Sequence, residues 1–138
     1  MPSLADRLKS LGVKIGTAYQ IYDDCLDLFG VESEAGKSLG TDLTKGKLTL
    51  PLLLAWEKAT PGERSELENL VRNWQPDAFA HVAALLARHQ TFKASLAIIQ
   101  RYLAKAREAL TAIPSSDGKT GLLALTSFLS TQSEALAE

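Results

Sequence analysis

A chain of 138 residues with 46% hydrophobic and 22% charged side chains is long enough for one buried core and too apolar for a disordered polypeptide. Its net charge of −1 offers no electrostatic hold on nucleic acid or an anionic membrane surface. No apolar run approaches the roughly 20 residues of a membrane span, and the opening MPSLADRLKS lacks the apolar stretch of a secretory signal.

The first predicted element is a long helix. Leu4, Leu8, Leu11, Ile15, Tyr19, Tyr22, Leu26 and Phe29 recur at steps of three and four, and Gly30 is a natural terminator. A polar, glycine-rich loop follows, VESEAGKSLGTDLTKGK. The segment LTLPLLLAWEKA then reads as a short, strongly apolar helix with Pro51 in its first turn, where a missing N–H costs nothing. Thr60, Pro61 and Glu63 form a capping-box start for a helix reaching about Asn73. Another begins near Pro76 and continues through AFAHVAALLARH. A longer one covers FKASLAIIQRYLAKAREALTAI up to Pro114, PSSDG turns the chain, and LLALTSFLSTQSEAL closes it. No stretch alternates with a period of two. The expected fold is a single all-α domain over residues 1–138, an antiparallel bundle of about five or six helices with one long loop.

The first helix carries three aspartates, Asp23, Asp24 and Asp27, within the otherwise core-like run YQIYDDCLDLFG. At 100° per residue, and with Gln20 as zero, they fall near about −60°, +40° and −20°. Gln20 and the three carboxylates therefore share one arc, with Gly16 one turn earlier leaving it bare of a side chain. Like charges at this spacing repel, and a cation offsets the repulsion. Oxygen donors without nearby His or Cys select a hard ion, and one or two carboxylates with waters and phosphate oxygens is the usual way of holding Mg²⁺. The plainer alternative is an acidic helix face in solvent. The loop that follows favours the metal: Lys37, Lys45 and Lys47 are point-charge partners for phosphate, set among Gly36, Gly40 and Gly46. No strand precedes it and no GxxxxGK[ST] occurs, so it is not a nucleotide P-loop.

These residues, together with the apolar helix after them, are recognisable. GTAYQIYDDCLDLFGVESEAGKSLGTDLTKGKLTLPLL, residues 16–53, closely resembles the second aspartate-rich region of the trans-isoprenyl diphosphate synthases, or polyprenyl synthetases. The family pattern G-x-[AS]-[FY]-Q-x-x-D-D-x-x-D, followed by G-K-x-x-G-x-D-L-x-x-G-K-x-T-L-P, is met from Gly16 to Pro51. The resemblance implies an isoprenoid-synthase helical bundle and a Mg²⁺-dependent condensation of isopentenyl diphosphate with an allylic diphosphate. It implies that Asp23, with Asp24 and Asp27 less directly, binds Mg²⁺ on the allylic diphosphate. Lys37 would contact that diphosphate, Lys47 would support the pocket or the diphosphate end, and Gln20 and Tyr19 would lie at the base of the site. Asp23, Asp24, Lys37 and Gln20 are the residues expected to act in catalysis.

No other DDxxD or DDxxxxD occurs in the 138 residues, whereas the family's site has two such helices facing each other. The expectation is that the chain is the C-terminal part of a synthase, supplying a half-site that is inactive alone. It would self-associate or pair with the missing N-terminal half. A non-catalytic helical subunit modulating a full-length synthase is the alternative. The lone Cys25 excludes an internal disulfide, suits the expected cytoplasmic location and, among acidic neighbours, should not be a reactive thiolate. His81 and His89, without carboxylates nearby in sequence, are expected to be ordinary helix residues, and Trp56 and Trp74 packing aromatics.

Overall fold

The computed structural model describes residues 2–30 and 40–136. Among them are seven α-helices and one 3₁₀ turn, and no strand. The helices are α1 (Leu4–Phe29), α2 (Thr41–Thr44), α3 (Leu50–Lys58), α4 (Pro61–Arg72), α5 (Phe79–Arg88), α6 (Thr91–Thr111) and α7 (Asp117–Ala135), with the 3₁₀ turn at Pro76–Ala78 before α5. The all-α expectation holds. The chain divides into two compact units, Met1–Tyr22 with Leu96–Glu138, and Asp23–Ser95, so α1 and α6 each contribute to both.

Local chemistry explains most boundaries. The Thr60 hydroxyl accepts from the Glu63 N–H at 3.2 Å while the Glu63 carboxylate accepts from the Thr60 N–H at 3.1 Å, the reciprocal cap expected from the sequence. Pro51 sits in the first turn of α3. Helix α7 starts five residues before the expected LLAL, because the Ser116 hydroxyl accepts from the Lys119 N–H at 3.1 Å and so initiates a helix inside the turn.

In the first unit, Leu11, Ile15 and Ala18 of α1, Ile99, Leu103, Ala106 and Leu110 of α6, and Leu129 of α7 are buried. The Ser130 hydroxyl donates to Gln100 Oε1 at 2.8 Å and ties α7 to α6. The stripe on α1 differs from the expected one: Leu4, Leu8 and Tyr19 are exposed, and Ala18 takes the inward position. A small residue lets backbones approach, and hydrophobicity alone does not register that.

In the second unit, Leu28, Leu43, Leu52, Ala55, Leu67, Val82, Leu85 and Leu86 form one core. Phe29 and Phe92 pack with ring centroids 4.9 Å apart at 57°. The four-residue α2 is too short to be stable by itself, and the burial of Leu43 holds it to this core. Trp74 leans on the same core and donates its indole N–H to Thr44 Oγ1 at 3.1 Å. On this unit's surface, Leu48, Leu53 and Trp56 border an apolar groove of about 340 Å³.

Candidate functional site

Asp23 and Asp24 lie on the last two turns of α1 and are half-buried, as is Tyr22 beside them. One turn earlier on the same helix, Tyr19 and Gln20 are exposed. A Cβ placed on Gly16 would meet nothing within 4 Å, which leaves open space on that face. Lys37 and Gly36 lie outside the described residues.

Asp27 departs from the expected arrangement. Its place on the arc, between Asp23 and Asp24, put it with the metal ligands. It is instead fully buried. One carboxylate oxygen accepts from the Thr41 N–H at 3.1 Å and the Thr41 hydroxyl at 2.7 Å, and the other accepts from the Asp42 N–H at 3.2 Å. The Asp27 carbonyl accepts a further bond, from the Gly40 N–H at 2.9 Å. The charge that looked in need of a cation is compensated by backbone donors and a hydroxyl at the start of α2.

The polypeptide then turns back tightly. Gly40 and Gly46 both have positive φ, +77° and +73°. The Lys47 N–H donates to the Asp42 carbonyl at 2.8 Å, and Lys47 Nζ stands 3.8 Å from Asp42 Oδ1. Lys47 itself is largely exposed beyond that ion pair.

Among the described residues no group of three or more His, Cys, Asp and Glu side chains converges to hold a metal. With Asp27 engaged elsewhere, Asp23 and Asp24 are the acidic pair presented by α1.

Other side chains behave as follows. Cys25 is buried, and burial pushes its thiol up to about 12, with the Asp24 charge adding to the effect and a Ser95 hydrogen bond opposing it. Burial and a raised pKa both act against a reactive thiolate. His81 and His89 do have carboxylate partners, contrary to the sequence reading: Glu66 for His81, and Glu63 at 3.1 Å for His89. Both carboxylates come from α4. No spacing within α5 reveals a neighbour on another helix. Arg88 reaches the same Glu63 oxygen at 3.0 Å.

The all-helical fold is shared with solved prenyl diphosphate synthases. Residues 2–88 match the polyprenyl synthetase family, and the chain belongs to it. It is 30% identical over 118 residues to the heptaprenyl diphosphate synthase component 2 of Bacillus subtilis, covering 86% of this chain and 33% of that protein. It is 34% identical over 125 residues to the nonaprenyl diphosphate synthase of Mycobacterium tuberculosis, covering 89% and 37%. Among solved structures, the polyprenyl synthase of Caulobacter crescentus, complexed with calcium and isoprenyl diphosphate, superposes with a TM-score of 0.80 at 34% identity, over 91% of this chain and 39% of that one. The heptaprenyl diphosphate synthase of Staphylococcus aureus does so with a TM-score of 0.79 at 32% identity, over 91% and 39%. The chain thus spans between a third and two fifths of the length of these relatives.

Proposed function

We propose that this chain furnishes the second aspartate-rich half of a trans-prenyltransferase site, which joins isopentenyl diphosphate to an allylic diphosphate. The carrying observation is the unbroken pattern from Gly16 to Pro51, with Asp23 and Asp24 on α1 and Lys47 held in the turn that packs against Asp27. Asp23 and Asp24 are the residues that would hold Mg²⁺. When bound, Mg²⁺ neutralises charge on the diphosphate and makes it a better leaving group. Lys37 and Lys47 bind the diphosphate oxygens as point charges, and Gln20 and Tyr19 border the reacting end of the allylic chain. An allylic cation formed there would have to be kept from water.

A non-catalytic modulating subunit is the weaker reading, because such a subunit has no chemical use for Asp23, Asp24, Lys37 and Lys47 together. The test is extension of farnesyl diphosphate by labelled isopentenyl diphosphate in Mg²⁺, using the pure 138-residue chain. The expected result is no product, because these residues carry one carboxylate cluster and the leaving group is only partly neutralised. Mg²⁺-dependent product would overturn the half-site assignment.

A further inference from the structure

We propose that Asp27 is a positioning residue for Lys47 and not a metal ligand. The inference rests on the reading above, in which Lys47 binds diphosphate. Asp27 gathers four hydrogen bonds from three consecutive residues, Gly40, Thr41 and Asp42, which lie 13 to 15 positions further along the chain. It is fully buried beneath them. Asp42, fastened through its N–H, in turn holds Lys47 twice, through its carbonyl at 2.8 Å and its carboxylate at 3.8 Å. A continuous chain of contacts therefore runs from Asp27 through Asp42 to the Lys47 ammonium. With Asp27 fully buried, a metal ion could reach its remaining lone pair only by opening the turn that covers it.

Amide hydrogen exchange of the metal-free full chain reads the fastening directly. Asp27→Asn retains the shape but sets an amide NH₂ against either the Thr41 or the Asp42 N–H, donor against donor. Exchange at Thr41 and Asp42 should accelerate at least about tenfold, while Asp23→Asn leaves both unchanged. Unchanged exchange in Asp27→Asn overturns the proposal. Thr41→Val, which keeps the carboxylate and removes only the hydroxyl donor, serves as the second variant should Asp27→Asn not fold, and its Asp42 amide should also exchange faster.

Binding of inorganic diphosphate in Mg²⁺ reads the link to Lys47. Asp27→Asn and Thr41→Val should each weaken it several-fold, and neither should weaken it further in a Lys47→Ala background. A general loss of stability would not produce that non-additivity. Wild-type binding in Thr41→Val alongside abolished binding in Asp27→Asn, whatever stands at position 47, would make Asp27 a ligand and overturn the proposal. If the wild-type chain binds no diphosphate in Mg²⁺, the functional reading fails and takes the Lys47 link with it, while the exchange measurement still decides whether Asp27 fastens the turn.

Discussion

Replacing Gly40 by alanine tests how the turn beneath Asp27 is built. Gly40 has φ of +77°, a conformation costing a non-glycine residue about 1–2 kcal/mol. A Cβ there would also lie 2.9 Å from Phe79 Cδ2 and 3.2 Å from Cε2, closer than packed atoms stand, so the ring that opens α5 must shift. Overpacking of this kind costs a further 1–3 kcal/mol, roughly. Gly46 supplies the control: its φ is +73°, but its Cβ would meet nothing within 4 Å. Gly46→Ala should therefore lose only the conformational part, and Gly40→Ala should exceed it by about 1–3 kcal/mol. Urea unfolding followed by tryptophan fluorescence isolates the effect, because Trp56 and Trp74, the two tryptophans of the chain, both belong to the Asp23–Ser95 unit. Phe79→Leu should recover the excess in Gly40→Ala and nothing in Gly46→Ala. Equal destabilisation by the two glycine substitutions would refute the assigned contact with Phe79.

Three further outcomes are expected. Cys25, buried and with its thiol pushed up to about 12, should resist a thiol reagent in the native protein and react in step with urea unfolding; stoichiometric labelling of the folded chain would contradict its burial. Glu63 is lowered from 4.5 to about 2, chiefly by the Thr60 N–H and also by hydrogen bonds from His89, Arg88 and the Thr60 hydroxyl, against some desolvation. Its contribution is complete above about pH 4.5 and falls away as pH drops toward about 2, so Glu63→Gln should flatten the stability profile in that window. Exposed Leu48, Leu53 and Trp56 around one apolar groove should make the chain a dimer or larger species by light scattering, and a monomer at every concentration would count against that.

Signals confined to a few neighbouring residues were legible in the sequence. The Thr60–Glu63 cap, Pro51 in the first turn of α3 and the helical steps along α6 each depend on residues within four positions of one another. The family was legible too, because the pattern from Gly16 to Pro51 is long and ordered. What escaped depends on distant partners. The three aspartates do lie on α1, yet the angle of a residue does not say which segment covers it. Thr41 and Asp42 cover Asp27 from 14 and 15 positions away. His89 meets Glu63 across 26 positions, and Trp74 meets Thr44 across 30. The exposure of Leu4, Leu8 and Tyr19 follows the same rule, since apolar spacing identifies candidate inward faces and the packing of neighbours selects among them.

The central claim is that Asp23, Lys37 and their neighbours bind Mg²⁺ and diphosphate as one unit, and calorimetric titration tests it most directly. Mg²⁺ alone should bind weakly, because two carboxylates leave the ion mostly hydrated. Inorganic diphosphate should strengthen Mg²⁺ binding, and Mg²⁺ should strengthen diphosphate binding by the same factor. Asp23→Ala and Lys37→Ala should each abolish that mutual strengthening, while Glu63→Ala, at the cap of α4, should leave it intact. Absence of coupling in the wild-type chain, or its survival in Lys37→Ala, would contradict the account.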